Sequence, residues 1–204
     1  MTIAFWAMFT AYSSEVRAAG DAASASAAEF APIVQAINAF DLVRASSLLD
    51  RQAAEERAVE IYYRSRIQIL TGDLADAGST AERCVSRWPD SSLCHEVKGE
   101  WAMVNLVVQG NVFKQLGDSR KARRSLERSV ELDPDNLRAR VLLVRYYSLA
   151  PWFIGGGKDK ARAQVEACRQ RDPFWGHEAA ALLALAEGRY TDAVEGFKQA
   201  QALD

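Results

Sequence analysis

The sequence predicts an all-α chain, a stack of antiparallel helix pairs with about four to five repeats. Three observations predict it. The composition is 49% apolar and rich in alanine, with only five prolines in 204 residues, which favours helices around a continuous core. A landmark alanine recurs at positions 45, 77, 122, 161 and 193. In three copies a proline follows that alanine twelve residues on, giving the pairs Ala77/Pro89, Ala122/Pro134 and Ala161/Pro173.

The copies align as "GDLADAGSTAERCVSRWP" (72–89), "GDSRKARRSLERSVELDP" (117–134) and "GGKDKARAQVEACRQRDP" (156–173). A fourth, "GRYTDAVEGFKQAQALD" (188–204), stops before its proline, and "FDLVRASSLLD" carries Ala45 and Leu49 at the same spacing. Each element has a physical reason. The glycine ends one helix by adopting φ > 0. Asp73 and Asp118 are placed to cap the next helix. The alanine sits where two helices cross closely, and Leu49, Ala81, Leu126, Val165 or Phe197 lies one turn later on the same face. The proline ends the helix because it cannot continue the hydrogen-bond ladder. A first helix precedes each segment, with apolar stripes in Glu60–Leu70, Cys94–Met103, Leu137–Leu149 and Glu178–Ala186.

These features resemble the tetratricopeptide repeat family over residues 29–204. The likeness rests on Ala77, Ala122, Ala161 and Ala193, on Pro89, Pro134 and Pro173, on the junction "SVELDPDN" (129–136) and on Gly99 in "CHEVKGEWAM". The landmark spacings of 32, 45, 39 and 32 bracket the family's unit of about 34 and place insertions in two copies. The first copy lacks its glycine and proline, and Ala81 replaces a bulkier residue. The resemblance implies a right-handed superhelix whose first helices line a concave partner-binding face. Carried over copy by copy, Tyr62, Arg66, Glu96, Glu100, Arg138, Arg145 and Trp175 are expected to be exposed there, with Val59, Val141 and Glu178 beside them. The chain is also similar to bacterial exported proteins of the family that carry an Ala-Pro-x3-Gly-Gly insertion.

The amino terminus points to export. Residues 3–12 form an apolar run, and Val16-Arg17-Ala18 follows with small or modest residues at the two positions that a signal peptidase inspects. Residues 1–19 therefore read as a leader, although no Lys or Arg precedes the run. Residues 20–28 read as a loose mature terminus, and 29–204 as the repeat domain. The expected location is periplasmic or secreted, with the cytoplasm as the alternative. The run is too short for a membrane span.

The stretch "APWFIGGGKDKA" (150–161) invites a phosphate-loop reading and fails it. Trp152 stands where that motif needs its first glycine, Asp159 follows Lys158, and the preceding segment has helical periodicity. It reads instead as a long turn within one repeat. Trp152, Phe153 and Ile154 either tuck over the helix ends or form an apolar lip for a partner.

Cys84 and Cys94 flank Pro89 and are candidates for a disulfide, while Cys168 falls on a core-facing position. With His95 the first two supply only three zinc ligands without paired spacing. His177 has no nucleophile motif near it, and the carboxylate pairs Glu55/Glu56 and Glu96/Glu100 have no second catalytic element. The basic run Arg120–Arg124 with Arg128 reads as a solvated face. The formal charge of −2, from 25 basic and 27 acidic residues, gives no general attraction to nucleic acid.

The sequence thus indicates a non-catalytic scaffold with no cofactor and no metal, binding a protein or peptide. The alternative is a small-molecule-binding subunit with a pocket near 105–116 and 150–157. The last copy has no capping helix, which allows self-association through the C-terminal repeat.

Overall fold

The computed structural model describes residues 21–52, 57–109 and 112–203. The expected leader, and Glu55 and Glu56, lie outside them. Among the described residues there are ten α-helices, one 3-10 turn and no strand. The helices form five antiparallel pairs. α1 (Asp21–Asn38) packs on α2 (Leu42–Gln52), α3 (Ala58–Thr71) on α4 (Leu74–Arg87), and α5 (Ser92–Gln109) on α6 (Val112–Leu132). α7 (Leu137–Leu149) packs on α8 (Lys158–Arg169), and α9 (Pro173–Ala186) on α10 (Tyr190–Gln201). The 3-10 turn η1 (Trp152–Ile154) lies between α7 and α8. Substantial packing joins helices one or two places apart in the chain, as in a linear stack. α1 begins inside the small-residue stretch 20–28 that composition reads as loose.

The repeat pattern marks the crossings. Ala45, Ala77, Ala122 and Ala161 are completely buried and Ala193 nearly so. Leu49, Ala81, Leu126 and Val165 are buried one turn later. At the α5–α6 crossing, a Cβ on Gly99 would stand 2.6 Å from Leu126 Cγ. Only glycine allows this approach, which explains its place in the first helix.

The caps follow the turn residues. Gly72 takes φ 84°, and the amides of Gly72 and Asp73 donate back to Ile69 and Gln68 carbonyls. The first copy, which lacks its glycine, makes the same two bonds by forcing Phe40 to φ 56°. Asp41, Asp73, Asn136 and Asp172 accept from backbone amides in the first turns of α2, α4, α7 and α9. Pro173 opens α9 as well as closing the previous unit, a position where its missing N–H costs nothing.

Two turn expectations are corrected. Gly117 and Asp118 lie inside α6, which starts at Val112. The residues inserted in the third copy lengthen α5 and α6 to 18 and 21 residues rather than forming a loop. An interior glycine costs only about 1 kcal/mol, less than opening the ladder. In the copy over 156–173 the left-handed residue is Gly155, at φ 100°, not Gly156.

Candidate functional site

The first helices lie against one another, with α5 contacting α3 and α7, and α7 contacting α9. Their inward side chains are charged, and the charges alternate from repeat to repeat. α3 supplies Arg66, α5 supplies Glu96 and Glu100 one turn apart, α7 supplies Arg138 and Arg145, and α9 supplies Glu178. Arg138 donates one nitrogen to Glu96 and the other to Glu100, the latter at 2.6 Å. Arg66 Nε lies 3.4 Å from Glu100 Oε2, and its guanidinium stands over the Tyr62 ring. Tyr62 donates to Glu96 at 2.7 Å. Asn136 Nδ2, which also bonds Ser92, donates to the second Glu96 oxygen at 2.9 Å.

This geometry corrects the expected exposure. Tyr62, Arg66, Glu96, Glu100, Arg138 and Trp175 are all buried, between 1% and 8% exposed, as are Val141 and Glu178. Arg145 and Val59 are half-buried. The spacing brings these residues to one face, but opposite charges on adjacent first helices close on each other instead of facing solvent. Asn136 was missed. Its position in "DPDN" signals a helix cap, and its second bond to Glu96 comes from a residue 40 positions away.

Burial governs the protonation of this ladder. It would raise Glu100, but the arginines Arg138 and Arg66 outweigh it and hold the carboxyl below its ordinary range. Burial and the neighbouring Arg138 charge lower Arg66 to about 10, against the pull of Glu100. Burial also lowers Arg145, opposed by Glu100. Glu178 is pushed up to about 7 by burial, with Arg138 and Arg145 only partly offsetting it. Among the described residues, Glu178 Oε2 and Trp175 Nε1 are buried without a hydrogen bond.

The arm between α7 and α8 is built the other way round. Trp152 is 83% exposed and Phe153 54% exposed, and their rings meet edge to face at 5.9 Å. Leu149 beside them is also exposed, while Ile154 turns inward. The turn is braced from below. Tyr146 donates to Ile154 O at 2.9 Å and exchanges a hydrogen bond with Ser119. The Gly157 amide donates to Tyr147 O. Lys160 reaches Gly155 O and lies over the Tyr147 ring. Tyr147 in turn donates to Glu127, which Arg123 grips with one nitrogen on both oxygens. A Cβ on Gly156 would fall 1.7 Å from Ala150 O, so the chain closes tightly there. Trp152 and Phe153 therefore form a lip and do not wall a closed small-molecule pocket. The side chains of 109–116, the other expected wall, lie outside the described residues.

Cys84, late in α4, and Cys94, in the first turn of α5, are joined at an Sγ–Sγ distance of 2.03 Å. His95 Nε2 lies 2.8 Å from Pro89 O. Cys168 is fully buried, and burial pushes its thiol up to about 12, far from a reactive thiolate. Among the described residues there is no group of three metal-ligand side chains, and no helix is long and apolar enough to cross a membrane.

Residues 106–136 match the tetratricopeptide repeat family, spanning the end of α5, α6 and the turn after it. No curated protein matches the chain. Among solved structures it is similar to TTC0263, a thermophilic TPR protein in Thermus thermophilus. The identity is 19%, the TM-score is 0.67, and the match covers 84% of this chain and 89% of that one. It is also similar, at 18% identity and a TM-score of 0.43, to MamA D159K mutant 1, covering 90% of this chain and 100% of that one. With five helix pairs in a fold similar to that of TTC0263, the chain folds as a TPR-like α-solenoid, and residues 106–136 within it match the tetratricopeptide repeat family.

Proposed function

We propose that the chain is a non-catalytic, exported scaffold that holds a partner protein, and that it grips through the Trp152 arm rather than through the charged first-helix face. The observation that carries this reading is the braced turn presenting two aromatic rings to solvent. An exposed, rigid aromatic pair contributes nothing to the core, and such residues are the usual anchors of protein interfaces. Arg66, Glu96, Glu100 and Arg138 are already engaged with one another, and this suits a stiff support better than a peptide groove.

Export is supported by the apolar run and cleavage pattern near Ala18, and by the Cys84–Cys94 pair, since such bonds persist in oxidising compartments. Mass mapping of the thiols in material from cells tests this part, and free Cys84 and Cys94 would count against it. For the scaffold itself, a photo-crosslinking residue is placed at 152 and, as control, at exposed position 120. Discrete protein adducts from 152 alone are expected. Identical adducts from both positions, or none from either, would overturn the reading.

A further inference from the structure

Two positions in the internal helix pairs are completed by the first helix of the next pair. The first is a carboxylate. Glu96 stands three residues before Gly99, which packs closest on α6. Asn136 and Arg138, at the start of α7, reach back and bond its two oxygens. The second lies on the following helix. Leu74 stands three residues before Ala77 and Gly78 one after it. Trp101 of α5 covers both. Its Nε1 donates to Leu74 O at 2.8 Å, and a Cβ on Gly78 would stand 2.5 Å from its ring. Tyr146 of α7 likewise meets Ser119, three residues before Ala122, at 2.9 Å. α7 thus carries both reaching groups, Arg138 and, eight residues on, Tyr146.

The α9–α10 pair has the same two seats. Glu178 stands three residues before Ala181, whose Cβ lies against Gly196 of α10. It is 7% exposed, and among the described residues its Oε2 accepts no hydrogen bond. Tyr190 and Val194 stand three before and one after Ala193, and they are 68% and 54% exposed. Among the described residues no first helix follows α10. In the α7–α8 pair the same two positions are Lys158 and Arg162, charged and exposed. The repeat pattern itself therefore does not require an apolar seat here.

We propose that α9 and α10 receive a helix of a partner protein, one that carries an arginine and, eight residues on, an aromatic side chain. The arginine answers the buried carboxylate of Glu178, as Arg138 answers Glu96. The aromatic covers Tyr190 and Val194, as Trp101 covers Leu74 and Gly78. α1 of a second copy does not fit this seat, because it contains no basic residue. The surface belongs to a different repeat from the Trp152 arm and gives the scaffold a second contact.

A synthetic peptide with the sequence of residues 136–149 carries both groups and serves as the probe. Fluorescence anisotropy measures its binding to the full chain, with circular dichroism confirming that each variant is folded. Binding is expected. Val194→Glu should weaken it at least about tenfold, because it places an unpaired charge under the aromatic. Glu178→Gln in the chain and Arg138→Met in the peptide should each weaken it about tenfold. Together they should cost no more than either alone, since they remove the same contact. No binding, binding indifferent to Val194→Glu, or losses that simply multiply would overturn the proposal. Sedimentation velocity of the chain alone supplies the remaining outcome. Association that Val194→Glu abolishes assigns the face to a second copy and also overturns it. None of these readouts involves position 152, so the arm stands or falls separately.

Discussion

The first-helix ladder and the Trp152 arm invert the usual arrangement of a soluble protein. Six ionisable groups turn inward, and two aromatic rings stand in water. The contrast separates two jobs. The buried ion pairs of Arg138 with Glu96 and Glu100, and of Arg66 with Glu100, join repeats and are lost to recognition. Exposed rings on a braced turn add nothing to the stack and remain available for contact.

The largest expected effect comes from breaking the inner member of this pair. Arg138→Met leaves Glu96 and Glu100 buried without their shared cation, and unfolding free energy should fall by about 3–5 kcal/mol. Chemical denaturation measures this. Adding Glu96→Gln and Glu100→Gln should restore much of the loss, and no recovery would show that Arg138 acts by packing alone.

Glu178 sharpens the same side through pH. Its folded value of about 7 lies above the ordinary 4.5, so the native state holds the proton more tightly than the unfolded chain. The contribution is complete below about 4.5 and is lost as pH rises through about 7. The full swing is about 3 kcal/mol. Glu100, held low by Arg138 and Arg66 against its burial, titrates only in the acid range, so the two windows separate. Glu178→Gln should abolish the loss of stability between pH 5 and 8, read from melts at several pH values. An unchanged slope would move the titration elsewhere.

The arm responds to backbone changes instead. Gly156→Ala drives a methyl into Ala150 O and should open the turn at about 1–3 kcal/mol. Amide exchange at Ile154–Gly157 should rise while α9 stays protected. Gly157→Ala, whose Cβ meets nothing nearer than 3.9 Å, is the matched control. The smallest effect is expected from Trp152→Ser with Phe153→Ser. Stability should shift by no more than about 0.5 kcal/mol, because neither ring packs in the core. A larger loss would place the rings in the fold and remove the contrast.

The sequence made the stack legible because its signals are local. Ala77 and Ala122 mark crossings, Asp73 a cap, and Pro89 and Pro134 the ends of helices. It misread Gly117–Asp118, where the same local signal was overruled by a helix already running from Val112. It brought Glu96, Glu100 and Arg138 to one face but gave them to solvent. Their burial depends on partners 42 and 38 residues away, and no periodicity reports that. The arm was legible as an insertion. Which rings face outward is decided by Tyr146 and Tyr147 beneath it, and their bonds cannot be read from spacing.

Arg138 holds two carboxylates on α5, and Glu100 answers to arginines on α3 and α7. One ionic net therefore spans the second, third and fourth repeats. A solenoid ordinarily frays unit by unit, since each repeat depends only on its neighbours. In this chain the central three repeats should melt as a single cooperative block. The first and last pairs are left as the parts that breathe.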